Sequence, residues 1–161
     1  MTDLINYRPM EPTDAKAVSR LILDSFTEFI AGEYSEEGCA EFTMHVQPEA
    51  LVERSKSNHF VLVAMSGKLP VGVIELRDND HVSLLFVDSQ HQRHGLARQL
   101  LMRALSIVRP AKAGFERVTV NSSRFGVPVY ERLGFRQTGP ERSVNGIVFI
   151  PMVHRPDPDT V

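Results

Sequence analysis

Three short apolar runs in the middle of the chain constrain its fold most strongly. They cover residues 59–65, 71–77 and 81–87, and each is rich in Val, Leu, Ile and Phe. Turn-forming residues, among them Gly67 and Asn79, separate the runs. This pattern predicts an antiparallel meander of three strands. Apolar residues occupy both alternating faces of most of these strands, which predicts a sheet covered on both sides.

Helical and strand patterns alternate on either side of the meander. Thr13 is expected to cap a helix because apolar residues then recur at helical spacing as far as Ile30. A second long amphipathic helix begins near Gly95 and is expected to end at Pro110. The other predicted helices cover residues 35–45, 48–56 and 127–133, and the other predicted strands cover 5–9, 117–121, 135–138 and 147–154.

The order of these elements predicts an α/β (α+β) chain with a mixed central sheet. A length of 161 residues fits one domain, expected over residues 1–154, and the Pro- and Asp-containing tail 155–161 is expected to be disordered. The net charge of −2 argues against nucleic-acid binding. No apolar run approaches bilayer length and no secretory signal is visible, so we expect no membrane association and a cytoplasmic protein. A single cysteine, Cys39, excludes an internal disulfide.

The segment between the third run and the second long helix predicts an anion site. A strand ends near Val87, a polar loop follows, and a helix begins at Gly95 with the small Ala97 two residues later. Free N–H groups and the dipole at a helix start favour a phosphate, and small residues let it approach. Residues 89–115 include no acidic side chain but several basic ones. Neither a dinucleotide-binding fingerprint nor a P-loop is present.

A second motif follows downstream. Asn121 ends a predicted strand, and Tyr130, Gly134 and Phe135 come after it. Together with the Gln92-x-x-Gly95-x-Ala97 loop, this element resembles the GNAT superfamily of acetyl-CoA-dependent N-acyltransferases, over about residues 58–153. The resemblance implies a GNAT fold, with a sheet of about seven strands flanked by helices on both faces.

The resemblance also implies a binding site for acetyl-CoA. The coenzyme A pyrophosphate would lie on the loop and helix start, which comprise Gln92, Arg93, His94, Gly95, Leu96, Ala97 and Arg98. The pantetheine arm would pair with the preceding strand, at Leu85, Phe86 and Val87. Main-chain N–H groups near Phe86 and Val87 would polarise the thioester oxygen. Asn121 and Tyr130 would lie beside the thioester.

Acetyl transfer to an amine requires a base for the amine and an acid for the departing thiolate. By resemblance the acid is Tyr130, although a tyrosine on such a helix face also serves packing. His81 falls where histone-acetylating members of the family have a catalytic glutamate, and simple alternation puts it on one face with Leu85 and Val87. Glu75 on the neighbouring strand is the rival base. His81 could equally be only a polar strand end.

Two further sequence features could suggest a metal site or a nucleophile, but we expect neither. His91 and His94 have the spacing of a metal-ligand pair, but no third ligand is apparent and we expect no metal. A lone cysteine such as Cys39 is more often buried than nucleophilic.

The N-terminal helices are expected to face the acceptor. No Lys or Arg occurs between Arg20 and Arg54, whereas eight acidic residues do. An acidic rim of this kind would attract a cationic amine. Alternatively, these residues form a solvated helical surface with no role in binding. Tyr34, Phe42 and His45 could line a pocket there. The sequence thus predicts an N-acetyltransferase for a small-molecule or peptide amine, with a homodimer as one expected assembly. A non-catalytic acyl-CoA sensor and a protein lysine or N-terminal acetyltransferase are the alternatives.

Overall fold

The computed structural model describes residues 4–109 and 117–154. The predicted helix end at Pro110 and the predicted tail lie outside this part of the chain. The strands are β1 Ile5–Pro9, β2 His59–Ser66, β3 Leu69–Arg77, β4 His81–Val87, β5 Val118–Ser122, β6 Arg136–Gln137, β7 Arg142–Val144 and β8 Ile147–His154. The α-helices are α1 Ala15–Phe29, α2 Glu36–His45, α3 Pro48–Ser55, α4 Leu96–Val108 and α5 Val127–Arg132.

The strands form one mixed sheet in the order β1-β2-β3-β4-β5-β8-β6, with β7 paired to β8. The predicted meander is confirmed, because β2 pairs antiparallel with β3 and β3 pairs antiparallel with β4. Among the described strands, only β4 and β5 run parallel, as expected for two strands joined by a helix. The expectation of about seven strands missed β7, whose three residues are all exposed and therefore show no apolar alternation.

Each face of the sheet has its own hydrophobic core, which confirms that helices cover both sides. Leu100 and Ala104 of α4 are fully buried on one face, where α5 also packs. Ile22 of α1 and Leu51 of α3 are fully buried on the other. Burial of one such leucine contributes about 2 kcal/mol, so these helices are held chiefly by their apolar faces. In the described part of the chain, no helix is long and apolar enough to span a bilayer.

The start of α1 differs from the prediction. Thr13 lies inside a single 3-10 turn, Pro12–Asp14, and α1 begins after it at Ala15. Asp14 organises this turn, because its carboxylate accepts the backbone N–H of Glu11 at 2.7 Å and pairs with Arg8 at 2.6 Å. Thr13 is therefore not the helix cap. The start of α2 follows the usual rule, since the Ser35 hydroxyl accepts the N–H of Gly38 at 3.1 Å.

Candidate active site

The parallel strands β4 and β5 separate almost as soon as they pair. Their register contains only His81 opposite Thr119 and Val82 opposite Val120. Beyond Val82, the edge of β4 that faces β5 has no strand partner within the described residues, although it lies in the middle of the sheet. Unpaired N–H and C=O groups along such an edge can bind an extended ligand as an added strand. Asn121 is exposed on β5 beside this split.

A β-bulge in β4 changes which side chains share a face. Leu76 lies opposite Val82 but Glu75 lies opposite Leu84, so Ser83 is an extra residue. Leu85 and Val87 therefore pack on the α4 side together with Val82. The neighbouring residues His81, Leu84 and Phe86 lie on the α1 side instead. The prediction that His81 shares a face with Leu85 and Val87 was wrong, because strict alternation does not continue through a bulge.

The loop from β4 to α4 presents a run of free donors. None of the backbone N–H groups from Arg93 to Arg98 has an acceptor within the described part of the chain, and the first helical bond runs from Gln99 N–H to the Gly95 carbonyl at 3.0 Å. The side-chain amide of Gln92 donates to the Val87 carbonyl at 3.1 Å and fixes the loop against the end of β4.

Backbone conformation makes this loop accessible. Gly95 has φ +79°, in the left-handed region, and a Cβ placed there would meet nothing within 4 Å. A side chain at position 95 would therefore project into open space beside the loop. Arg93 and His94 are exposed in the loop, and the Arg98 guanidinium donates to the Arg132 carbonyl at 3.0 Å, which ties α4 to α5. Because α4 is 13 residues long and its first N–H groups have no acceptor among the described residues, the loop and helix start suit a phosphate or diphosphate.

Tyr130 lies on α5 close to the end of β5. Its ring packs edge-on against Phe135 at 5.3 Å between centroids. A Cβ at Gly126 would lie 2.7 Å from the Ser122 hydroxyl and 3.3 Å from the Tyr130 ring, so only glycine allows α5 to approach β5 this closely. Burial raises the pKa of Tyr130 above its ordinary value of 10.0. The phenol is therefore protonated at neutral pH, as a general acid requires.

His81 lies where β4 and β5 are still paired. Its Nδ1 is 2.8 Å from the hydroxyl oxygen of Thr119, which orients the ring. Burial, with a smaller contribution from the charge of Arg77, lowers the pKa of His81 below 6.5. The imidazole is therefore neutral at pH 7 and can accept a proton.

Glu75 is completely buried and has a different environment. Its Oε2 accepts a hydrogen bond from Arg54 Nε at 3.2 Å, while its Oε1 and Arg54 Nη2 are buried without partners in the described structure. Burial raises the pKa of Glu75, and the guanidinium of Arg54 opposes this shift. Arg54 also donates to the His45 carbonyl at 2.7 Å. This cluster joins β3 and α3 to the end of α2 through the main-chain carbonyl of His45.

Aromatic side chains line the α1 side of the sheet near the split. The rings of Phe26 and Phe42 stack at 4.2 Å, Tyr34 meets Phe26 edge-on at 5.3 Å, and Phe86 lies 6.1 Å from Phe42. Burial, together with Glu33, raises the pKa of Tyr34 to about 12. The structure thus brings the predicted Tyr34 and Phe42 together. Sequence reasoning missed Phe26, which has the pattern of an ordinary core residue, and it named Phe86 for its backbone without predicting that its ring lies beside Phe42.

The acidic residues of the N-terminal helices divide into two groups. The carboxylate of Glu33 accepts the backbone N–H groups of Arg124 and Phe125, at 2.8 and 3.1 Å. The side chain of Arg124 in turn pairs with Glu141. No local sequence signal links residues about 90 positions apart. The other acidic residues are exposed, namely Asp24, Glu28, Glu36, Glu37, Glu41, Glu49 and Glu53.

The remaining candidates have local partners. His91 Nδ1 lies 3.0 Å from Asp88 Oδ2. The thiol of Cys39 points at the Ala31 carbonyl, with a sulfur–oxygen distance of 3.6 Å. Among the described residues, no group of three or more His, Cys, Asp or Glu side chains is arranged to hold a metal ion.

Fold and sequence comparisons agree on the class of protein. Residues 30–155 match the acetyltransferase (GNAT) domain family, so the chain belongs to this family. A relative, the uncharacterized N-acetyltransferase YafP of Escherichia coli K12, is 26% identical over 138 residues, which are 86% of this chain and 85% of YafP.

Two solved structures show the same fold. A GCN5-related N-acetyltransferase from Rhodopseudomonas palustris superposes with a TM-score of 0.78 at 21% identity, covering 96% of this chain and 98% of that chain. The PaiA N-acetyltransferase from Thermoplasma acidophilum, solved in complex with coenzyme A, gives a TM-score of 0.75 at 22% identity, covering 94% of this chain and 99% of that chain.

Proposed function

We propose that the protein transfers the acetyl group of acetyl-CoA to a primary amine by direct attack. The observation that carries this proposal is the run of free N–H groups from Arg93 to Arg98, placed at the end of a strand whose inner edge is also free. The donors fit a pyrophosphate and the strand edge fits a pantetheine amide chain, so one ligand of that shape satisfies both. The coenzyme A complex of PaiA, which shares this fold, supports the assignment.

Residues at the split would orient the thioester. The pantetheine arm would pair with Leu85, Phe86 and Val87 on the free edge of β4, and a backbone N–H near Phe86 or Val87 would donate to the thioester oxygen as negative charge develops. Asn121, exposed on the opposite side of the split, would donate or accept a further hydrogen bond to the arm. The α4 side of the split is filled by packed side chains, so the amine must approach from the α1 side.

Two proton transfers complete the reaction. The amine nitrogen forms a bond to the carbonyl carbon, and the carbon–sulfur bond then breaks. His81 takes the proton that the amine loses, directly or through water, because it is neutral at pH 7 and lies on the α1 side. Tyr130 gives its phenolic proton to the departing thiolate. Glu75, buried beneath α3 and paired with Arg54, fits a structural role better than that of the base.

The alternative of a non-catalytic acyl-CoA sensor needs the loop and the split but neither His81 nor Tyr130. A thiol-release assay with acetyl-CoA and a panel of amines, amino acids, aminoglycosides and peptides separates the two. We expect release above the acceptor-free background with at least one class. Tight coenzyme A binding without release from any class would contradict the enzyme and favour the sensor.

A further inference from the structure

Helix α2 differs from α1 and α4 in how little of it is buried. Of its ten residues only Gly38 is buried, whereas α1 and α4 each bury several apolar side chains. Apolar burial therefore contributes little to holding α2 in place, and polar contacts at its ends carry more of that role. The Ser35 hydroxyl caps the N-terminal end, and the C-terminal end is held in a different way.

The last four carbonyl groups of α2, those of residues 42–45, each accept a hydrogen bond. Three of the donors are local, namely the Val46 N–H and the backbone and side-chain N–H groups of Gln47. The fourth donor comes from another helix, because Arg54 of α3 donates from Nη1 to the His45 carbonyl at 2.7 Å. A cation at the C-terminal end of a helix also interacts favourably with the helix dipole. Arg54 therefore caps α2 from outside the helix.

The same guanidinium is fixed to the central sheet. Its Nε donates to Oε2 of Glu75, on β3, at 3.2 Å, and the Glu75 side chain is completely buried. Its Nη1 also lies 3.3 Å from Nδ1 of the His45 ring, and that nitrogen is the acceptor because a guanidinium can only donate. One planar group thus joins the sheet to the last residue of α2, in a fork geometry that a single ammonium does not reproduce.

The capped end of α2 lies one helical turn from an aromatic ring on the α1 side of the sheet. Phe42 precedes His45 by three residues, so the two are neighbours on the surface of the helix. The Phe42 ring stacks on Phe26 of α1 at 4.2 Å and lies 6.1 Å from the ring of Phe86 on β4. Because Phe86 follows Val82, where β4 and β5 have separated, a shift of α2 would move the Phe42 ring relative to the split.

We propose that Arg54 is a positioning residue for the amine. By joining Glu75 to the end of α2, it holds the Phe42 ring at the side of the split from which the amine approaches. Glu75 is the anchor of this link and takes no proton from the substrate. Arg54 acts through α2 rather than by contact with the reacting atoms. This inference rests on the proposed acetyltransferase function.

Arg54→Lys tests the link, because it keeps a positive charge beside Glu75 but loses the fork that also reaches α2. We expect KM for the best amine of the panel to rise at least about tenfold, with kcat within about threefold and the Kd for coenzyme A unchanged. Arg8→Lys is the matched control. Arg8 also binds one carboxylate, that of Asp14, and one carbonyl, that of Pro9, but it lies on the edge strand β1. An equal rise of KM in Arg8→Lys, or no rise in Arg54→Lys, would overturn the proposal.

A double variant separates positioning from stability. Arg54→Met combined with Glu75→Leu removes both charges and should regain much of the stability that Arg54→Met loses, yet it has no cap for the His45 carbonyl. We expect the same rise in KM as in Arg54→Lys, with kcat retained. A normal KM would show that Arg54 matters only for stability, and a loss of kcat would give Glu75 a part in the chemistry. Either result overturns the proposal.

Amide hydrogen exchange tests the link without any amine. We expect the backbone N–H groups of residues 39–45 to exchange faster in Arg54→Lys than in the unaltered protein, with exchange in β2 and β3 unchanged. Equal exchange in α2 would show that Arg54 does not hold the helix, and the proposal would be overturned. No thiol release from any amine with the unaltered protein would instead overturn the proposed function, which is a distinguishable result.

Discussion

The two sides of the split between β4 and β5 differ in the groups that form them, which are main-chain groups on one side and side chains on the other. On the proposed coenzyme side, the free donors are main-chain N–H groups of one continuous segment, residues 93–98. On the proposed acceptor side, the groups are side chains from α1, α2, β4 and the loop after β5, joined by contacts such as that of the Glu33 carboxylate with the Arg124 backbone N–H. A site made of backbone tolerates variation in sequence but is sensitive to conformation, whereas a site made of distant side chains can change its specificity freely.

The largest effect is expected from a charge placed among the backbone donors. Gly95→Glu should weaken coenzyme A binding at least about 100-fold, because a carboxylate would compete with the pyrophosphate for the same N–H groups. Isothermal titration calorimetry provides the measurement. Gly67→Glu is the matched control, since Gly67 also has a positive φ, of +61°, and open space around it, but lies in the β2–β3 turn. Equal affinities for the two variants would refute a diphosphate site at Gly95.

Loss of the buried ion pair should affect stability and leave the coenzyme side intact. Arg54→Met should lower the free energy of unfolding by about 3 kcal/mol near neutral pH, because it leaves the Glu75 carboxylate buried and unpaired. Urea titration measures the loss, and Arg54→Met combined with Glu75→Leu should recover much of it. A double variant no more stable than the single one would contradict this account.

The same pair predicts a pH dependence with a definite sign. Burial raises the pKa of Glu75 in the folded state, so its ionisation disfavours folding as the pH rises above the ordinary value of 4.5. Without Arg54 this cost grows. The destabilisation by Arg54→Met should therefore shrink as the pH falls toward 4.5, where the protonated carboxyl needs no counter-ion. A loss of stability that is constant with pH would point to packing alone.

Removal of the phenol should affect chemistry without affecting binding. Tyr130→Phe should lower kcat at least about tenfold, because no acid then protonates the thiolate, while the Kd for acetyl-CoA stays within error. Tyr7→Phe is a matched control. Tyr7 lies on β1, away from the split, and its ring packs under the Arg103 guanidinium of α4. Unchanged turnover in Tyr130→Phe would remove the general-acid assignment and restore a packing role.

The smallest effect is expected at the base. The lowered pKa of His81 predicts that kcat/KM falls only below pH 6.5 on the acid side of its pH profile, since only the neutral imidazole accepts a proton. His81→Gln should lower kcat/KM at pH 7 by about fivefold, because water can carry the proton in its place, and it should abolish that fall. A fall that persists in His81→Gln would assign it to another group.

Sequence patterns predicted the elements on the proposed coenzyme side of the split. They predicted much less of the side-chain contacts on the proposed acceptor side. The meander, α4 and the loop at Gly95 follow from local periodicity and from a glycine with a conformational purpose, so each could be identified within a dozen residues. The bulge at Ser83 reversed the predicted face of His81, because a bulge has no distinct residue signature. The contacts of Glu33 with Arg124, and of Ser35 with Gly146, join segments about 90 and 110 positions apart and leave no local trace.

The most direct test of the central claim is amide hydrogen exchange with and without coenzyme A. Binding of the pyrophosphate by the loop predicts that coenzyme A slows exchange at the backbone N–H groups of residues 93–98, and that pantetheine, which has no phosphate, leaves them exchanging as in the free protein. Slowed exchange along β4 with no change at residues 93–98 would contradict the claim, and the diphosphate would then have to bind elsewhere.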